Sequence, residues 1–199
     1  MFKYTLKRLA ATLLLAAATV AHVAAGPGQD SGSWELVAPP SEGFTVRLPL
    51  KPEEQSDRIP FEGKAYLMRM YTAPDKVNGT LYMVIMQEFA SVGAALDTSE
   101  RFENFIIGFK EGMAKTLGTS AAPMEMKADA DLNLKGNFGR QYLLSFGSTR
   151  GLVRGYTTKD RIYVLVAIGG NAGNESTKRF FDSFDITPAP APMPMPITK

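Results

Sequence analysis

Residues 161–168, Arg-Ile-Tyr-Val-Leu-Val-Ala-Ile, constrain the fold more than any other stretch. Side chains alternate along a strand. Ile162, Val164, Val166 and Ile168 therefore share one face, and Tyr163, Leu165 and Ala167 share the other. Both faces are apolar, so this strand has to be covered on both sides, as a central strand is. Residues 81–89 repeat the pattern, with Leu81, Met83, Ile85 and Phe89 against Tyr82, Val84 and Met86. A chain with two such strands needs one layer above the sheet and another below.

Two stretches can supply those layers. Across 99–117, Phe102, Phe105, Ile106, Phe109 and Met113 recur at helical spacing. Asp97 can cap that helix, Glu100 completes a capping box, and Gly118 follows its last turn. Near the end, Gly169-Gly170-Asn171-Ala172-Gly173 breaks the chain and Asn174 can cap a second helix, 174–184. Its stripe is Phe180, Phe181 and Phe184. Residues 139–146, 152–158 and 161–168 read as three consecutive antiparallel strands joined by short turns. Residues 34–37, 44–49, 66–71 and 124–133 read as further strands, and the charged run 51–58 as a loop. The expectation is an α+β protein. It is an α/β/α sandwich around a mostly antiparallel sheet of about six to seven strands, with one long helix, 99–117, and a shorter C-terminal one, 174–184.

The ends read differently. Lys3, Lys7 and Arg8 precede an apolar run from Leu9 to Val20, and Val23-Ala24-Ala25 supplies small residues for cleavage after Ala25. This is the pattern of a secretory signal peptide, 1–25. Its apolar run is too short to span a bilayer comfortably. Residues 26–33 form a flexible lead-in, 34–187 a single domain and 188–199 a proline-rich tail. Proline at every second position gives that tail an extended, polyproline-like character.

Cleavage decides much of the chemistry. Removing Lys3, Lys7 and Arg8 leaves 19 Lys and Arg against 20 Asp and Glu. No nucleic-acid partner follows from such a balance. Cleavage also removes His22, the only histidine, and the chain has no cysteine. A Ser-His-Asp triad, a thiol nucleophile, a disulfide framework and nearly all zinc sites are thereby excluded from the exported form. The expected protein is soluble, lies in the periplasm or outside the cell, has no transmembrane segment after cleavage, and needs no cofactor.

The motifs are sparse. Asp129-Ala130-Asp131-Leu132-Asn133 opens like a calcium loop, but Leu134 stands where glycine is required and Arg140 where the last acid is required. The glycine-rich run 169–173 lacks the Gly-Lys-Ser/Thr ending of a phosphate loop. Asn78-Gly79-Thr80 and Asn174-Glu175-Ser176 match the glycosylation sequon. Met68 with Met70, and Met124 with Met126, can each present two thioethers on one strand face, which suits Cu(I); filling an irregular core explains them as well. Arg140 and Tyr142 share one strand face, as do Arg154 and Tyr156. With Arg150 and Arg161 nearby, they form a candidate patch for a partner or ligand.

Taken together, Trp34, Gly43-Phe44-Thr45-Val46-Arg47-Leu48-Pro49, Gly139-Arg140-Gln141-Tyr142, Arg161-Ile162-Tyr163 and Phe181-Asp182-Ser183-Phe184 give the chain a resemblance to the PsbP-like domains. The Mog and DcrB-type envelope proteins share that fold. The resemblance covers about 33–187 and implies an α/β/α sandwich. It implies little about activity, because the fold hosts unrelated roles; its members are mostly binding or assembly factors, not enzymes. The leading expectation is a non-enzymatic exported protein that binds an envelope protein or assists assembly in a bacterial envelope. The alternative is a carrier of a small molecule or a metal, copper through the methionine pairs. An enzyme using neither His nor Cys comes third.

Overall fold

β5 (Thr80–Glu88) and β9 (Arg161–Gly169) lie side by side in the middle of a seven-stranded sheet. Ile85 stands opposite Val164, and Val84 opposite Leu165. The order across the sheet is β3 (Glu53–Phe61), β4 (Lys64–Asp75), β5, β9, β8 (Thr149–Thr157), β7 (Asn137–Phe146) and β6 (Glu125–Leu134). Every neighbouring pair is antiparallel. The computed structural model describes residues 34–61, 64–88, 98–117, 124–170 and 173–188. The signal-like segment 1–25, the lead-in 26–33, the proposed caps Asp97 and Gly118, and the tail from 189 lie outside them.

The two faces of the central strands bury against different layers. On one side α1 (Thr98–Leu117) sets Phe102, Ile106 and Phe109 onto Met83, Ile85, Ile162, Val164 and Val166. On the other side α2 (Glu175–Asp182) joins a second, three-stranded sheet of β1 (Glu35–Val37), β2 (Phe44–Leu48) and β10 (Asp185–Ile186). That layer buries Trp34, Phe44, Val46, Leu48, Phe180, Phe181 and Phe184 against Tyr82, Val84, Tyr163 and Leu165. Burial of each such aromatic stabilises by about 2 kcal/mol. Among the described residues no helix is long and apolar enough to cross a membrane.

α1 can approach β8 closely because position 155 is glycine. A Cβ there would stand 2.0 Å from the Phe102 ring. Gly139 works in the same way on the other face, where a Cβ would meet the Tyr156 ring at 2.5 Å. Tyr156 is thereby free to stack on Phe184, with ring centres 5.5 Å apart and planes 13° from parallel.

The sandwich, its two helices and its antiparallel central sheet follow the sequence reading, and three details differ. The run 51–58 is not a loop; most of it lies in the edge strand β3. Its side chains are largely exposed, so the apolar alternation that marks a half-buried strand is missing. Strands 34–37 and 44–48 do not join the main sheet, because residues 185–186 pair with β2 instead and close a smaller one. α2 is also shorter than 174–184. Asn174 caps it by accepting from the Thr177 N–H at 2.8 Å, and Ser183 ends it, leaving Phe184 buried just beyond.

Candidate functional site

β6 carries not one buried residue along its ten positions, whereas six consecutive residues of β9 are buried. It is also bulged between Ala128 and Ala130. The bulge adds Asp129 to the strand and sends the two neighbouring acids to different partners. Asp129 accepts from the Gln141 amide at 2.6 Å, while Asp131 accepts from Arg140 Nε at 2.6 Å. A surface depression of about 340 Å³ lies here, lined by Ala128, Asp129, Ala130, Asp131 and Arg140.

The four residues of the arginine–tyrosine patch fall on opposite faces of the sheet. Arg140 and Tyr142 face α1, where both bond to the carboxylate of Glu103, Tyr142 at 2.9 Å. Arg140 also lies over the Phe138 ring. Its bond to Asp131 holds its pKa above the ordinary value. Burial, followed by Glu103, pushes the Tyr142 hydroxyl up to about 12. Arg154 and Tyr156 face α2. Arg154 donates to Gln141 Oε1 at 2.7 Å, lies 4.7 Å over the Phe181 ring and comes within 3.8 Å of Asp182. The tyrosine rings are core residues, so only the two guanidinium heads reach the surface. Arg140 is closed off by two carboxylates, whereas Arg154 meets one loosely.

The methionine pairs are similarly divided. Met68 and Met70 are buried on β4 with Met83, and Met124 and Met126 pack at β6. β4 and β6 are five strand spacings apart, about 24 Å. No single ion can be held by both pairs. Each packs in the apolar layer under α1. Both sequon asparagines have structural partners. Asn174 caps α2, and the Asn78 amide donates to Asp75 at 2.7 Å and to Ser176 at 3.2 Å.

One polar cluster escaped the sequence reading. Glu42, in the turn between β1 and β2, is 2% exposed. Its Oε1 accepts from the Tyr71 hydroxyl at 2.9 Å and from Arg69 at 2.7 Å. The same Arg69 nitrogen lies 3.2 Å from Glu54. Burial raises the Glu42 carboxyl above its ordinary 4.5, the bonds from Tyr71 and Arg69 lower it, and the charge of Glu54 raises it further. Tyr163 fixes the backbone by donating to the Glu42 carbonyl at 2.7 Å. The partners lie 27 to 121 positions away in sequence, so no local spacing marks the cluster. The one legible sign was that Arg69 and Tyr71 share a strand face.

No protein-family model matches the chain, and no curated protein matches it. Solved structures do resemble it. Among them is the solution structure of cyanobacterial PsbP (CyanoP) from Synechocystis sp. PCC 6803. It aligns over 82% of this chain and 97% of that one, at 12% identity and a TM-score of 0.49. The sandwich assignment rests on the strand order and register themselves.

Proposed function

We propose that the protein is a non-enzymatic, exported binding protein whose partner contacts the β6–β7 margin of the main sheet. The observation that carries this reading is the exposure of β6, an edge strand ten residues long with no fully buried side chain. Among the described residues Glu42 is the most buried acid; it is tied to Arg69 and Tyr71 and takes no part in lining the depression at the bulge. That depression is polar and its carboxylates are paired. Such a surface suits recognition of another macromolecule better than enclosure of a small one.

The margin would be read through its side chains. A bulge and the charges of Glu125, Lys127, Asp129 and Asp131 discourage an added strand. Arg154 would offer its guanidinium head on the α2 face, with Tyr156 supporting it from the core, while Arg140, held by Glu103 and Asp131, would order the opposite face together with Tyr142. Export rests on the 1–25 segment and would leave a chain beginning at Gly26.

Native mass spectrometry of the protein isolated from its host's envelope tests this reading. The expected species is the chain from Gly26 with a second polypeptide bound. Lys127→Glu is expected to remove that polypeptide with little loss of thermal stability, because the Lys127 side chain is exposed. A small-molecule or metal adduct on an otherwise bare chain would replace this reading with the carrier. A chain that still begins at Met1 would remove the export step.

A further inference from the structure

The Glu42 turn joins three parts of the fold. Tyr71 and Arg69 hold its side chain to β4, and Tyr163 holds its backbone to β9. Gly43 O also accepts from the Thr187 N–H at 3.0 Å, so the strand after α2 is tied to the same point. The turn is strained: Ser41, which is not glycine, has φ +69°. It also carries unmet polar needs, since Glu42 Oε2, Arg69 Nε and, beside Gly43, Arg161 Nε are all buried without a partner. A fold point that is strained and under-satisfied is poised to open locally before the core does.

We propose that residues 39–43 are a proton-operated latch: they hold the β1–β2 hairpin and β10 on the main sheet most tightly when Glu42 is neutral, and ionisation of Glu42 loosens all three together. This goes beyond the binding role and does not depend on it. The geometry supplies the reason. Ionised Glu42 would put charge on a buried oxygen that no donor meets, which costs more than leaving a neutral carboxyl unmet there. It would also share a single Arg69 nitrogen with the carboxylate of Glu54, so that one cation serves two anions. The titratable and charged groups around it are Glu54 on β3, Arg69 and Tyr71 on β4, and Arg161 and Tyr163 on β9. At this point the chain after β10 contributes the backbone of Thr187.

The direction with pH follows from linkage. Burial of Glu42 on docking raises its pKa by more than the Tyr71 and Arg69 bonds lower it, so the docked turn holds a proton that the free turn releases. Docking is strongest below the ordinary carboxyl value and weakens as pH rises through the docked one, by at most tenfold per pH unit for one proton.

Amide hydrogen exchange on the full chain, corrected for the intrinsic effect of pH, reads this directly. Protection of residues 44–48 and 185–187 is expected to fall together as pH rises through the Glu42 titration, while that of 162–167 stays constant. Glu42→Gln should abolish the fall and keep the acid-side protection. Glu54→Gln should move the midpoint to lower pH, which a merely structural role for Glu42 would not do. The latch is overturned if hairpin protection is flat in the unmodified protein, or if it falls equally in Glu42→Gln. Should Glu42→Gln not fold, an unshifted midpoint in Glu54→Gln overturns it just as well.

Discussion

Gly155→Val is expected to lower the unfolding free energy by about 3 kcal/mol, the upper part of the range for overpacking. Even a Cβ would stand 2.0 Å from the Phe102 ring, well inside contact distance. The clash cannot be relieved by a flexible chain end. Phe102 is fully buried, and its ring is flanked by Phe138 and Tyr142, with centres 6.3 and 6.0 Å away. α1 itself would have to lift, which would disturb the Glu103 bonds to Arg140 and Tyr142. Combining Gly155→Val with Phe102→Ala separates this clash from the change in strand propensity, which by itself favours valine over glycine. The double variant should lose less than the two single losses added, because the valine then fills space that the ring has left. Urea unfolding of the four proteins checks both points. A single-variant loss below about 1 kcal/mol would mean that α1 does not rest closely on β8.

Phe44→Ala is expected to cost about 4 kcal/mol, within the range for deleting a buried aromatic ring. Phe44 is the point where four parts of the chain meet. Its ring centre lies 5.7 Å from Tyr71 on β4, 5.7 Å from Tyr163 on β9 and 5.9 Å from Phe184 beyond α2. It is fully buried, and its backbone pairs with Ile186 of β10. Removing the ring leaves a cavity that three other aromatics cannot all close at once. Leu36→Ala, in the same small sheet but 58% exposed, should change stability by less than about 0.5 kcal/mol. Comparable losses at the two positions would contradict the packing of the small sheet onto β4 and β9.

What could be read in advance was what burial writes into the pattern of apolar residues. β5 and β9 are apolar on both faces, so their central place was legible, and their pairing follows it. α1 and the phenylalanines at 180, 181 and 184 were legible for the same reason. β3 was not, because an exposed edge strand has no apolar face to display; Glu53, Glu54, Ser56, Asp57 and Arg58 look like a loop until β4 is beside them. The small sheet was not legible either, since pairing residues 185–186 with 44–45 is a contact across the whole domain. The arginine–tyrosine patch shows the limit of reading faces. Alternation placed Arg140 with Tyr142 and Arg154 with Tyr156 correctly. Whether the two pairs share a face depends on the register of β7 against β8, in which Arg140 lies opposite Gly155 and Gln141 opposite Arg154. Glu42 was invisible because burial of a charged residue in a turn leaves no periodic trace.

Site-specific photo-crosslinking in the host cell tests the central claim, that the β6–β7 margin is the surface a partner meets. A photoreactive residue would replace, one at a time, Lys127 and Leu143 at the margin, and Leu36 and Val77 elsewhere. All four are exposed, so the comparison is between places and not between buried and open positions. The account predicts a discrete adduct with one polypeptide from positions 127 and 143 and none from 36 or 77. Adducts from 36 or 77 with none at the margin would contradict it, and so would the absence of any adduct from all four.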